Sequence, residues 1–189
     1  MPVLARNNLL ILLLLLPACA TADQASLYQS ADIKQMPRGL DDLKRVKTDD
    51  RLAEIIAPIS GQHRIIRYIA TSSGMPLIAD TASRKTVVVV FDRTSPVTGK
   101  YEVGKEILAA YLTAGPPSMP IGTYCLGMAT TGFVDVKSEK PGLYNVTFDL
   151  NFSQISAADF KGVCDDEHFE KTVRNVRQID LKRPARTKP

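Results

Sequence analysis

Hydrophobic and polar positions alternate clearly only in the second half of the chain. In Leu143-Tyr-Asn-Val-Thr-Phe-Asp-Leu150, Tyr144, Val146 and Phe148 face one way and Asn145, Thr147 and Asp149 the other, which predicts a half-buried strand. Phe133-Val-Asp-Val136 precedes it across Glu139-Lys-Pro-Gly142, so the two read as a hairpin. Lys85-Thr-Val-Val-Val-Val-Phe91 is dense in β-branched residues without alternation and predicts a strand covered on both faces. Pro76 to Asp80 and Thr123 to Leu126 complete the expected strands. Leu52 to Ala57, behind Asp49-Asp50 and ended by Pro58, predicts a short capped helix. Residues 107, 108, 111 and 112 have helical spacing and predict a second helix over Glu106–Leu112. Two segments stay open between helix and strand: Arg64–Ala70, and Phe169–Leu181 with Val173, Val176 and Ile179. The sum is an α+β fold, a β-rich single domain with a mainly antiparallel sheet and two or three short helices. An all-β sandwich is the alternative.

At the N-terminus the pattern is different. Arg6 precedes an unbroken apolar run, Leu9 to Leu16, that ends on Leu16-Pro17-Ala18-Cys19. Eight helical residues cover roughly 12 Å, far less than the roughly 30 Å of a bilayer core, so the run reads as an export signal. Leu-x-small-Cys at its end resembles the lipobox of bacterial lipoproteins. That resemblance implies cleavage before Cys19 and acylation of its thiol with fatty acids such as palmitate. It also implies a lipid-anchored protein on the periplasmic face of the outer membrane, since Ala20 replaces the aspartate that retains enterobacterial lipoproteins in the inner membrane. An ordinary cleavage site is the competing reading, because Ala18-Cys19-Ala20 and Ala20-Thr21-Ala22 both have the A-x-A form; the product would then be soluble in the periplasm.

The cysteine count bears on this choice. There are three, Cys19, Cys125 and Cys164. In an oxidising compartment Cys125 and Cys164 can pair as a disulfide, leaving Cys19 as the odd one for a lipid. The expected layout is a signal peptide over 1–18, lipid attachment and a flexible tether over 19–45, a globular domain over 46–181, and a disordered basic tail over 182–189. Charge supports the last of these. Phe169–Pro189 holds seven basic residues against Glu170 and Asp180, while Cys19–His168 is slightly acidic. Export, and the absence of aromatics among the basic residues, argue against a nucleic-acid partner.

Little in the chain points to catalysis. His63 and His168 are the only histidines. Cys164-Asp-Asp-Glu-His168 gathers five potential ligands, but neighbours in sequence rarely converge on one metal ion, and a disulfide would remove the thiolate. Thr113–Tyr124 resembles the Gly…Pro-x-Gly-x-aromatic turn of the peptidoglycan L,D-transpeptidases. The Ser-His-Gly-Cys-type motif of that family has no counterpart around Cys164, whose acidic neighbours would raise a thiol pKa. Ile65–Asp80 resembles the helix, glycine turn and strand of the small periplasmic domain that begins secretins and siderophore receptors. The expectation is a non-enzymatic envelope lipoprotein without metal or cofactor. Its domain would bind another protein, such as a secretion or envelope-assembly component. A periplasmic inhibitor or immunity protein against a lytic enzyme is the alternative, and a cell-wall enzyme ranks third.

Overall fold

The computed structural model describes residues 21–46, 56–72, 83–115, 125–156 and 164–181. Nine strands carry the described chain: β1 (Thr21–Ile33), β2 (Pro58–Ser60), β3 (His63–Ser72), β4 (Ser83–Phe91), β5 (Gly99–Glu102), β6 (Ile107–Gly115), β7 (Cys125–Lys140), β8 (Leu143–Ser156) and β9 (Glu167–Ile179). One seven-residue helix, α1 (Leu40–Val46), accompanies them. Seven strands close into a barrel in the order β1-β3-β4-β6-β7-β8-β9 and back to β1. Every neighbouring pair in the wall is antiparallel except β1–β9, which is parallel. β2 adds to β1 and β5 to β7.

The barrel is filled by its own side chains. Leu27, Ile66, Tyr68, Val87, Val89, Phe91, Leu112, Val146, Phe148 and Phe169 belong to one buried cluster. A second cluster lies on the other face of the same strands. There Ile65, Val88, Val90, Ala109 and Tyr111 are covered by Ile33, Leu43 of α1 and Ile56. The Tyr111 hydroxyl donates to the Pro37 carbonyl at 2.7 Å and ties this covering segment down. The outer layer explains why β4 has no polar face: Val87 and Val89 fill the barrel while Val88 and Val90 lie under the cover.

This architecture overturns the α+β expectation. The fold is all-β in its wall, as the alternative had it, but the sheet closes on itself instead of forming a sandwich. Glu106–Leu112 is not a helix: Ile107–Gly115 is β6, buried on both faces. A register shift opposite Val90 and Phe91 leaves Leu108 exposed, and that shift created the helical spacing. The open segments resolve to strands. Arg64–Ala70 lies in β3, so the helix implied by the secretin-type resemblance is absent there. In β9 a shift between Tyr144 and Val146 pairs them with Val176 and Val173, and Asn175 takes φ 58°. The bulge turns both valines inward at a spacing of three.

The flexible tether is also corrected. Within 19–45, β1 pairs with β3 from Thr21↔Ser72 to Tyr28↔Ile65 and is part of the barrel wall. The helix expected at 52–57 falls mostly outside the described residues, with Ile56 in a turn before β2. The strand at 76–80, the transpeptidase-like turn from 116 onward, the signal segment and the basic tail also lie outside them. The hairpin is found where expected, with β7 and β8 joined across Pro141-Gly142.

β7 changes partners halfway along. Cys125–Met128 pairs with β6 and Phe133–Val136 with β5. The bend lies at the register shift between Ala129 and Thr131, beside Gly132 at φ 119°, where a Cβ would overlap the Asp149 carbonyl oxygen. Gly132→Ala is therefore expected to cost about 3 kcal/mol, from backbone strain together with the clash, measured as a fall in the urea midpoint with unchanged slope.

Candidate functional site

Strand direction gives the barrel two distinct ends. β1, β4, β7 and β9 begin at one end, and β3, β6 and β8 finish there. At the opposite end Arg64 plugs the interior. Its guanidinium donates to the Ser95 carbonyl at 2.8 Å, the Pro96 carbonyl at 2.6 Å and Gln29 Oε1 at 3.1 Å. The Tyr101 hydroxyl also donates to Pro96. That end is sealed by the β4–β5 connection.

The first end is an open polar mouth of about 400 Å³. Its floor is aromatic. Tyr68, Phe148 and Phe169 form a triangle with centroids 6.0, 5.4 and 5.8 Å apart. Above the floor the inward positions turn charged and polar: Asp23 of β1, Ser72 of β3, Ser83 and Lys85 of β4, and Glu167 and Lys171 of β9. Lys171 Nζ meets Asp23 Oδ2 at 2.5 Å, and Lys85 pairs with Glu167. Gln154 Nε2 donates to the second Glu167 oxygen at 3.3 Å. The Ser72 and Ser83 hydroxyls are 2.7 Å apart on the rim. Side-chain exposures of 39% and 29% for Lys171 and Asp23, and 35% and 25% for Lys85 and Glu167, leave both pairs open to a ligand.

Electrostatics at the mouth centre on Asp23. The Lys171 hydrogen bond holds its carboxyl below the ordinary range, outweighing burial, and the Tyr68 hydroxyl donating at 3.0 Å adds to the effect. Burial pushes the Tyr68 phenol well above its usual value, and the adjacent Asp23 carboxylate adds to the rise. Among the residues lining the mouth, the carboxylates Asp23, Glu167 and Glu170 exceed Lys85 and Lys171 by one, so the lining has a slight acidic excess.

Of the residues singled out from the sequence, Cys125, Cys164 and His168 lie around this end, and they do not form one reactive cluster. Cys125 opens β7 and Cys164 precedes β9; they form a disulfide with Cα atoms 5.8 Å apart. It clamps the start of β9 to β7, two strands away across β8. His168 turns to the outer wall, where Nε2 meets Asp149 Oδ1 at 2.9 Å, and Asp166 accepts from the Gln154 amide at 3.1 Å. His63 sits at the opposite end, paired with Asp32. Cys19 lies outside the described residues. Among the described residues no group of three His, Cys, Asp or Glu side chains is arranged to hold a metal ion, and no helix is long and apolar enough to cross a membrane. The mouth residues were not identified from the sequence. The signal was present as alternation: Asp23, Ala25 and Leu27 in β1, and Glu167, Phe169, Lys171 and Val173 in β9. Comparison with protein-family models, curated proteins and solved structures yields no match.

Two measurements follow from this geometry. The disulfide closes a loop with a sequence separation of 39, for which chain entropy gives about 4 kcal/mol. Cys125→Ser and Cys164→Ser should each lower stability by that order, and the double variant by no more than either, in urea unfolding. Asp23 has a depressed folded-state pKa, so its contribution is present above the unfolded carboxylate value and is lost as pH falls through the folded one. Asp23→Asn should therefore lower the melting temperature at pH 7 and flatten its fall on acidification. A variant melting curve parallel to wild type at every pH would refute the assignment.

Proposed function

We propose that this chain is an exported cell-envelope lipoprotein, anchored through acylated Cys19, whose barrel is a non-enzymatic domain that binds another envelope protein. The observation that carries the reading is the Cys125–Cys164 disulfide. Structural disulfides belong to oxidising compartments, which agrees with the export signal, and this one consumes two of three cysteines. Cys19 is then the odd thiol, placed where a lipobox-type sequence would acylate it. The outer membrane is the favoured location, by Ala20.

Support for a protein partner comes from the end opposite the mouth. Ile59, Leu108 and Ile179 are the exposed large hydrophobic residues among those described, and all three lie near strand termini at that end. An anchor at Cys19 leaves this end directed away from the lipid, where apolar side chains can form the core of a contact.

Cells fed a clickable fatty acid should label the wild-type chain and not Cys19→Ser. An unlabelled, freely soluble mature protein beginning at Thr21 or Asp23 would refute the anchor. Affinity purification from detergent-solubilised membranes should recover an envelope assembly, and Leu108→Glu should release it without lowering the melting temperature. Recovery of a single lytic hydrolase, inhibited on binding, would replace this reading with that of an inhibitor.

A further inference from the structure

We propose that the polar mouth binds the zwitterionic headgroup of a phosphoethanolamine-type phospholipid, drawn from the membrane that holds Cys19; the membrane as source rests on the anchor assigned above. The first argument is position. β1 begins at Thr21, so only Ala20 stands between Cys19 and the barrel wall. Two residues reach at most about 7 Å. Thr21 pairs with Ser72, and Ser72 with Ser83, which places the start of β1 on the mouth's rim. Asp23, two residues into β1, is ion-paired with Lys171 of β9 on the same rim. A lipid on Cys19 therefore holds this mouth at the headgroup layer.

The second argument is chemistry. A phosphoethanolamine group carries a phosphate and an ammonium joined by two carbons. Lys85 and Lys171 offer charged donors to the phosphate, while Asp23 and Glu167 offer acceptors to the ammonium. Tyr68 and Phe169 line the floor beneath, with the Tyr68 hydroxyl donating to Asp23. The near balance of carboxylates and lysines in the lining, with a slight acidic excess, suits a zwitterion better than a purely anionic headgroup. The aromatic triangle fills the barrel below the mouth, so the site takes a headgroup and excludes an acyl chain. Weak intrinsic affinity is sufficient, because an anchor at Cys19 would keep the mouth at a bilayer surface where headgroups are densely packed.

The test uses the mature protein purified from the envelope in non-ionic detergent. It is titrated with sn-glycero-3-phosphoethanolamine, glycerol 3-phosphate and ethanolamine while the Tyr68 and Phe169 ring signals are followed by NMR. The zwitterion should give saturable shifts, and either half alone should bind about tenfold more weakly, the loss of one charge-assisted contact. Lys171→Gln and Lys85→Gln should each weaken the zwitterion by a similar factor, with the ring signals otherwise unchanged. In vesicles, amide exchange over Glu167–Lys171 should be slower with phosphatidylethanolamine than with phosphatidylglycerol alone. Equal binding of glycerol 3-phosphate and the zwitterion, or no saturable shift, would overturn the headgroup site whatever Cys19 carries. Zwitterion binding by a chain without acyl groups on Cys19 would instead remove the anchor, and with it the membrane as the source.

Discussion

An odd number of strands cannot close antiparallel throughout. With seven strands in the wall, one neighbouring pair must run parallel, and here it is β1–β9. That seam has three residue pairs, against nine or more in the antiparallel ladders of β3–β4 and β7–β8. Toward the mouth the seam is bridged by side chains. Asp23 reaches Lys171 from one strand to the other, and Phe169 of β9 packs on Tyr68 of β3, beneath β1. The Cys125–Cys164 bond constrains the same strand from the other side, just before β9 begins. It holds the start of the strand that forms the short parallel seam.

The covering layer follows from the same closure. A closed barrel buries one face of each strand, so exposed outer faces should be polar, as on β8 with Asn145, Thr147 and Asp149. β3, β4 and β6 break this pattern, and Ile33 at the end of β1, Leu43 of α1 and Ile56 share a buried cluster with their outer faces. Fully burying a side chain such as Val88 or Ile65 is worth about 1.5–3 kcal/mol relative to exposure. Without the cover, the apolar outer faces of these strands would form an exposed patch prone to association.

Legibility in the sequence followed the locality of the signal. The β7–β8 hairpin, the β4 strand and the disulfide partners could be read because periodicity, a turn or simple counting marks them. β6 was misread because doubly buried strands have no period of two, and the bulge at Leu108 imitated a helical one. β9 stayed ambiguous for a similar reason, the bulge at Asn175 setting Val173 and Val176 three apart. β1 reads as a tether because it is rich in small and polar residues, and its strand character comes from pairing with the distant β3. The mouth was illegible for a related reason. Its charged residues come from β1, β4 and β9, and only closure brings Asp23 beside Lys171.

Making β1 part of the wall changes what an anchor at Cys19 would do. A long tether would let the domain sample many orientations and make its two ends equivalent in access. A wall strand that starts two residues after Cys19 would remove that freedom and fix which end meets the lipid. The two ends suit this division. The mouth is charged, open and matched to small polar groups, whereas the other end is sealed by Arg64 and edged with exposed apolar residues. A domain held in this way would present its apolar end outward without the entropy cost of orienting a free tether. The parallel seam sets this polarity, because it makes β9 begin at the same end as β1 and so brings Glu167, Phe169 and Lys171 to the rim from which β1 starts.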